Sequence, residues 1–378
     1  MKIFTLNKIA ACGLAQFPAG YTCGDDIAAP DAVMVRSASM HDMPLDAATV
    51  AIARAGAGTN NIPIDACTQA GVCVFNTPGA NANAVKELVI AGLFLSSRKV
   101  YDALSWCQGL KGKGDEVGAL VEKGKGAFGG PEIAGKTLGL IGLGAIGSLT
   151  ANAAAALGMR VIGCDPYISE EVKASLDASV QLVPTWDDVL AQSDYISLNV
   201  PLTAQTKGAL NAEAFAKAKD GLRLLNFARA ALVNDTDLIA ALQSGKVAAY
   251  VTDFPTDEVI GVPGVTAIPH LGASTPESED NCAIMAAQQI TAYLETGAVK
   301  NSVNLPATTV AAKFSHRVCV VHTAEAKDAV LAAIGGVQQL TSNVRGEIAY
   351  TVADTAAAVD AAALAEIPGV LRVRALVG

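Results

Sequence analysis

Short apolar runs alternate with polar, Gly- or Pro-bounded segments along most of the chain. In the N-terminal part, Lys2–Leu6, Val33–Val35, Thr49–Ala53 and Val72–Phe75 read as strands, the last three as buried. This is the pattern of a parallel α/β layer. A helical pattern follows from Ala84 to Trp106, with Asn83 as its N-cap, and the Gly- and Lys-rich stretch 111–131 reads as a loop. A second α/β series has candidate strands at Thr137–Ile141, Met159–Cys164, Tyr195–Val200, Arg223–Ala228, Val247–Phe254 and Val265–Ile268. Between them, Thr185 with Asp188 forms a capping box, Asp235 caps a helix and Gly245 ends it. Six strands with intervening helices make a doubly wound nucleotide-binding domain. From residue 314 the pattern changes. Residues 317–322, 346–354 and 370–376 read as strands, and 324–334 and 355–365 as helices. That is a small α+β module, ferredoxin-like rather than doubly wound.

A chain of 378 residues calls for two or three such domains. With 51% hydrophobic and 17% charged residues, it can bury large cores and is not of the disordered class. The net charge of −9 argues against a nucleic-acid partner but leaves room for arginines that bind a small anion. The eight cysteines form no CxxC pair, and four histidines are too few for a zinc cluster, so reduced thiols and no metal are expected. Asn7 and Lys8 interrupt the apolar run that a signal peptide needs, and no run approaches the length of a membrane span. The expectation is a soluble, cytoplasmic protein with no membrane partner.

The segment 136–167 changes the picture most. Gly142, Gly144 and Gly147 make G-x-G-x-x-G between an apolar strand and an apolar helix that opens at Ala145 and Ile146. A second strand ends at Asp165, 18 residues beyond Gly147. In this context Gly142 permits the tight turn, Gly144 lets the backbone approach a pyrophosphate, and Gly147 lets helix and strand pack closely. The helix N-terminus receives the phosphate charge. Asp165 would accept hydrogen bonds from ribose hydroxyls and repel a 2′-phosphate, so the cofactor expected is NAD rather than NADP. Val200, at the end of its strand, belongs to the same site.

Three further segments fall at the C-terminal ends of strands, where open α/β sheets bind ligands. They are 224–234 with Arg229, 251–258 with Asp253 and Glu258, and 268–283 with His270. A lone histidine in such a turn also reads as a capping or core residue. Together, an arginine, a carboxylate and a histidine suit hydride transfer at a 2-hydroxy acid. The arginine clamps a carboxylate, the histidine takes the hydroxyl proton, and a carboxylate beside it raises its pKa and fixes its tautomer.

The order GLGAIG, CDPY, NFARAALVN, DFPTDE and PHLGAST closely resembles the D-2-hydroxyacid dehydrogenases. VRSA (35–38), GAGTNNIPID (56–65) and NTPGANANAVKEL (76–88) resemble the substrate-side motifs of that family, and the C-terminal module resembles an ACT domain. The resemblance implies His270 as acid/base, Glu258 as its partner and Arg229 as the substrate clamp. It also places Arg36, Ser37 and Asn81 at the substrate, Arg36 and Lys125 at a phosphate, and Phe227 and Asp253 near the nicotinamide. It further implies a discontinuous flavodoxin-like substrate domain (1–92 and 285–313), a Rossmann NAD-binding domain (93–284) and an ACT-like regulatory or assembly domain (314–378). The implied reaction is oxidation of 3-phosphoglycerate to 3-phosphohydroxypyruvate, on the way to serine, by a homodimer or homotetramer. A glyoxylate or hydroxypyruvate reductase of the same family, or an NADH-sensing binding protein on the same fold, are the alternatives.

Some positions depart from the family pattern. Ala230 follows the arginine where glycine is common, and Asn60 replaces a common aspartate. In the tail, His322 is followed by Thr323, Ala324 and Glu325, and Gly336 stands where an asparagine is usual. Loss of the amides that would pair with a serine ligand predicts weak or absent serine feedback.

Overall fold

The computed structural model describes residues 1–378. The chain divides into two compact units, one of Met1–Asn81 with Thr275–Gly378 and one of Ala82–Ser274. Both crossings lie at the N-terminal ends of long helices, Ala82–Arg98 and Pro276–Thr296. The boundaries expected from sequence, 92/93 and 284/285, fall inside those helices.

The first unit holds two sheets. β1 (Lys2–Leu6), β2 (Thr22–Gly24), β3 (Ala32–Val35), β4 (Ala51–Arg54) and β5 (Cys73–Phe75) form a parallel sheet in the order β2-β1-β3-β4-β5. That is the flavodoxin-like order, whose direction of winding reverses between β1 and β3. β3 and β4 are almost wholly apolar because both faces of this layer are covered. The rest of this unit is a ferredoxin-like β-α-β-β-α-β module.

Sequence reading gave this module three strands; the structure has four. β13 (His316–Thr323), β14 (Val337–Arg345), β15 (Ile348–Thr355) and β16 (Val370–Val377) are antiparallel in the order β14-β15-β13-β16, once β6 to β12 of the other unit are counted. β14 escaped notice because it is an edge strand, mostly exposed and without apolar alternation. The helix expected over 355–365 is confined to Ala361–Ala365, where Asp360 accepts from two backbone amides. Cys319, Val321, Tyr350 and Val352 of the module share one core with Ala51, Phe75, Ala286 and Ile290. The opposite face of the tail sheet has a core of its own, formed by Val318, Val320, Val330, Ile334, Ala353 and Leu364, so the module is packed on both faces.

The second unit is doubly wound. β6 (Thr137–Ile141), β7 (Arg160–Cys164), β8 (Gln181–Leu182), β9 (Tyr195–Leu198), β10 (Leu222–Asn226), β11 (Val247–Thr252) and β12 (Val265–Ala267) are all parallel, in the order β12-β11-β10-β9-β6-β7-β8. The reversal falls between β6 and β9, which places the ligand crevice at their carboxyl ends. β8, two exposed edge residues, is too short to show a period. β12 was expected to be buried; as the opposite edge strand it is half-exposed.

Local corrections have local causes. The helix expected over 84–106 starts at Ala82 and breaks at Lys99, whose φ of 43° is left-handed; a second helix, Val100–Gln108, follows. Asn83 lies inside the first helix and donates to Glu87 instead of capping. The expected loop 111–131 holds a helix, Val117–Gly124, flanked by 3-10 turns, with the Trp106 and Phe128 rings 5.4 Å apart. Its glycines obscured the apolar Val117, Leu120 and Val121. Asn234, not Asp235, caps Asp235–Gln243 by accepting from the Asp237 amide, and Gly245 follows that helix at φ 78°. The Thr185–Asp188 capping box is present.

Candidate active site

The glycine motif separates into positions the fold requires and one that it does not. Gly142 has a φ of +94°, and a Cβ there would lie 2.7 Å from the Asn199 carbonyl oxygen. A Cβ on Gly147 would lie 2.1 Å from the Gly142 carbonyl oxygen, so no side chain fits. Gly144 is different: its backbone is extended and a Cβ would meet nothing within 4 Å. The chain itself leaves that space open, as close approach of a pyrophosphate requires. Gly144 and Ala145 are exposed, Ile146 is half-buried, and no side chain caps the helix Ala145–Ala156. Its first amides are thus available to an anion. Val200 borders the turn, its Cγ1 2.9 Å from the Cβ position of Gly142.

Asp165 is half-buried and tied into the same crevice. Its Oδ2 accepts from the Leu143 amide and its Oδ1 from the Tyr167 amide, both at 2.9 Å. The carboxylate is held rigidly, and each oxygen keeps a lone pair for a ribose hydroxyl.

At the ends of β10 and β11 the candidate catalytic groups are positioned by buried polar residues. Asn226, 0% exposed, accepts at Oδ1 from the Ala228 amide (3.2 Å) and the Arg229 amide (3.3 Å). Its Nδ2 donates to the Arg229 carbonyl (3.0 Å) and the Tyr250 hydroxyl (3.1 Å). The Arg229 backbone is thereby fixed while its side chain stays exposed. The guanidinium lies 5.5 Å from the centroid of the Phe254 ring, and the His270 ring lies 4.3 Å from the same ring. Phe254 is the shared wall on which Arg229 and His270 converge. Neither Asn226 nor Phe254 was singled out from sequence; a polar residue closing a buried apolar run was the available signal for Asn226.

Asp253 is 1% exposed. Its Oδ2 accepts from the Gly272 amide at 3.0 Å, and its Oδ1 is buried with no partner. Burial pushes its carboxyl above the usual range, opposed by the Gly272 amide and by the charge of His270. A buried acceptor without a donor is costly in a closed protein, and here it fits a ligand that brings an N–H, such as a carboxamide. The open Gly144, the uncapped helix, Asp165 and this orphaned oxygen together fit a nicotinamide dinucleotide.

Glu258 is exposed, and no hydrogen bond or ion pair joins it to His270; the carboxylate that senses the His270 charge is Asp253. The intervening turn Pro255–Asp257 carries Glu258 into solvent, while Asp253 stays at the strand end. Phe227, expected near the nicotinamide, is 7% exposed and packs in the core. The Cβ position of Gly92 is 2.9 Å from its ring, so the ring fills the space against the helix Ala82–Arg98.

In the first unit, Arg36 follows β3 directly, beside the reversal point of its sheet. Its Nη2 donates to Glu279 Oε1 at 2.5 Å, and its carbonyl accepts from Arg54 Nε (2.9 Å) and Asn61 Nδ2 (3.3 Å). Ser37 is exposed and Asn81 is half-buried just ahead of Ala82. Arg54, a cation closing the buried strand β4, is a further strand-end group not named from sequence. Lys125 pairs with Glu122.

Comparison with known proteins follows the same lines. Residues 93–272 match the family model for the D-isomer specific 2-hydroxyacid dehydrogenase, NAD binding domain. The chain is 37% identical over 284 residues to D-3-phosphoglycerate dehydrogenase of Mycobacterium leprae, covering 73% of this chain and 51% of that protein. It thus spans about half the length of the curated relatives it matches. Among solved structures, NAD+-bound 3-phosphoglycerate dehydrogenase from Entamoeba histolytica aligns with a TM-score of 0.61 at 28% identity, covering 80% of this chain and 98% of that one. A glyoxylate reductase from Paecilomyes thermophila aligns at 0.64 and 26%, covering 80% and 98%. Residues 93–272 thus form an NAD-binding domain of the D-isomer specific 2-hydroxyacid dehydrogenase family.

Proposed function

We propose that the chain oxidises 3-phosphoglycerate to 3-phosphohydroxypyruvate. The observation that carries a dehydrogenase reading is the convergence of Arg229 and His270 on Phe254, next to an unpaired Asp253 oxygen and in the same unit as an open dinucleotide turn. The choice of a phosphorylated substrate is supported by the relatives from Mycobacterium leprae and Bacillus subtilis, both D-3-phosphoglycerate dehydrogenases.

When bound, NAD supplies the acceptor for the hydride leaving C2. Arg229 holds the substrate carboxylate and polarises the adjacent oxygen. His270 takes the hydroxyl proton as the carbonyl forms, and returns it in the reverse direction. Phe254 presses on both side chains and excludes water from one face. Glu258 reaches His270 only if its turn closes, a rearrangement common between free and substrate-bound enzymes. Arg36, Ser37 and Asn81 supply the remaining substrate contacts.

NADH consumption with 3-phosphohydroxypyruvate, hydroxypyruvate and glyoxylate in parallel tests the assignment. Preference for the phosphorylated acid supports it. Preference for either of the others moves the chain to the reductase branch, which the resemblance to a glyoxylate reductase favours. Loss of turnover in His270→Ala with NAD binding retained separates an enzyme from a cofactor sensor. Adding serine tests the expected insensitivity.

A homo-oligomer is part of the same proposal. The helices Val100–Gln108 and Val117–Gly124 bury no residue, and Tyr101 and Leu104 are 64% and 54% exposed. Such an apolar face suits a second copy of the chain. Leu104→Asp is expected to shift the sedimenting species to monomer. Eight free thiols, five of them buried, suit a reducing compartment such as the cytoplasm.

A further inference from the structure

The orientation of Arg36 is set by a residue that the catalytic reading does not use. Only one hydrogen bond ties the guanidinium to the protein, from Nη2 to Glu279 Oε1 at 2.5 Å. A guanidinium has five N–H donors in a planar fork. One N–H of Nη2 held by Glu279 restricts the guanidinium and leaves the other N–H of Nη2, with the Nη1 or Nε donor beside it, as one edge for a two-pronged anion contact. Both side chains are 41% exposed, so the pair is reachable from solvent.

The support behind Glu279 is unusually firm. It lies in the first turn of Pro276–Thr296, where the Thr275 side chain accepts from the Ser278 amide. Carboxylates are favoured at this end of a helix. At the opposite end the tail module grips the last carbonyls. Arg317 Nη1 donates to Thr296 (2.7 Å), Arg374 Nη2 to Leu294 (2.9 Å) and the Tyr350 hydroxyl to Gly297 (2.8 Å). The Arg36 backbone is held separately, through its carbonyl, by Arg54 and Asn61. A braced helix thus presents a carboxylate to an arginine whose main chain is already fixed.

We propose that Glu279 is a positioning residue, which orients Arg36 so that its free guanidinium edge receives the anionic group of the substrate. This rests on the proposed function, in which Arg36 is a substrate contact. As a stability element, a half-exposed ion pair contributes little. Its effect lies in binding, because a free arginine must lose its rotamer freedom each time a ligand arrives.

The test is steady-state reduction of 3-phosphohydroxypyruvate by the full-length protein, its Glu279→Ala, Glu279→Gln and Arg36→Ala variants, and the double variant. Glu279→Ala is expected to raise KM about tenfold, about 1.4 kcal/mol, with kcat unchanged within about twofold. Glu279→Gln keeps an acceptor oxygen and should fall between Ala and wild type. In the Arg36→Ala background, removing Glu279 should add nothing. An unchanged KM in Glu279→Ala, or an equal penalty with and without Arg36, overturns the proposal. So does a lowered KM, which would make Glu279 a competitor of the substrate. Should Glu279→Ala misfold, Glu279→Gln alone carries the comparison. A wild type that turns over no 2-oxo acid defeats the functional reading itself, and this inference with it. An active wild type with an indifferent Glu279 defeats only the inference.

Discussion

Replacing Asn226 by alanine should damage catalysis and stability by separate routes. The side chain makes four hydrogen bonds of 3.0 to 3.3 Å and is 0% exposed. Three of the four end on the backbone of Ala228 and Arg229, at the exposed strand end where water can replace part of what is lost. The fourth ends on the buried Tyr250 hydroxyl, which keeps Thr252 as a second side-chain partner. At about 0.5–1.5 kcal/mol for each of the four bonds, the expected loss is about 2–6 kcal/mol. The effect on rate has a different origin. Without Asn226 nothing holds the Arg229 amide and carbonyl at once, and a displacement of about 1 Å in a clamp costs about 100-fold.

Tyr250→Phe is the matched control, since it removes the one partner of Asn226 that does not touch Arg229. It should cost about 1 kcal/mol in denaturant unfolding and leave kcat/KM unchanged within about twofold. Asn226→Ala should lower kcat/KM about 100-fold, with NADH affinity close to wild type. Retention of kcat/KM within about threefold in Asn226→Ala would refute the reasoning, as would an equal loss in Tyr250→Phe.

Gly144→Ala and Gly147→Ala should behave in opposite ways. The first has open space and should fold normally but weaken NADH binding; the second clashes with the Gly142 carbonyl and should fail to yield folded protein, outcomes read by circular dichroism and NADH fluorescence. Asp253 has a folded pKa raised by burial. The folded state then binds more protons than the unfolded one from the ordinary carboxylate range up to the raised value. Stability falls as pH rises through that window. Asp253→Asn should flatten the pH dependence of denaturant unfolding there. Arg317 is 2% exposed, bonds both Asp354 oxygens and also donates to the Thr296 and Ala311 carbonyls. Arg317→Ala strands a buried carboxylate and should cost about 3–5 kcal/mol, whereas replacing both partners by apolar residues should cost far less.

Much of the fold was legible because apolar period and strand order follow from burial on both faces. Thr137–Ile141 matches residue for residue, and most other strands were placed within two residues. What escaped was structure without such a pattern. β8 and β14 sit at sheet edges, where one side needs no apolar residue, and the helix at Val117 hides among glycines. The candidate site divides in the same way. Arg229 and His270 stand at strand ends that periodicity locates, so their meeting on Phe254 follows from topology. The expected Glu258–His270 contact depends on a turn whose path no period encodes.

Two kinds of residue make up this site, and they answer to different pressures. Gly142, Gly147 and Asn226 are explained by the fold alone: a positive φ, a 2.1 Å approach, four satisfied hydrogen bonds. Gly144 and the Asp253 Oδ1 are not. A side chain would fit at the first, and the second is a buried acceptor left without a donor. Folding gains nothing from either, since alanine would reduce chain entropy and a paired or apolar residue would remove an unmet polar group. Both are resolved by one bound molecule that brings a phosphate to the open turn and an N–H to the buried oxygen. Positions that cost the free protein something are where a ligand's contribution is to be sought. Here they fall in the unit that matches an NAD-binding domain.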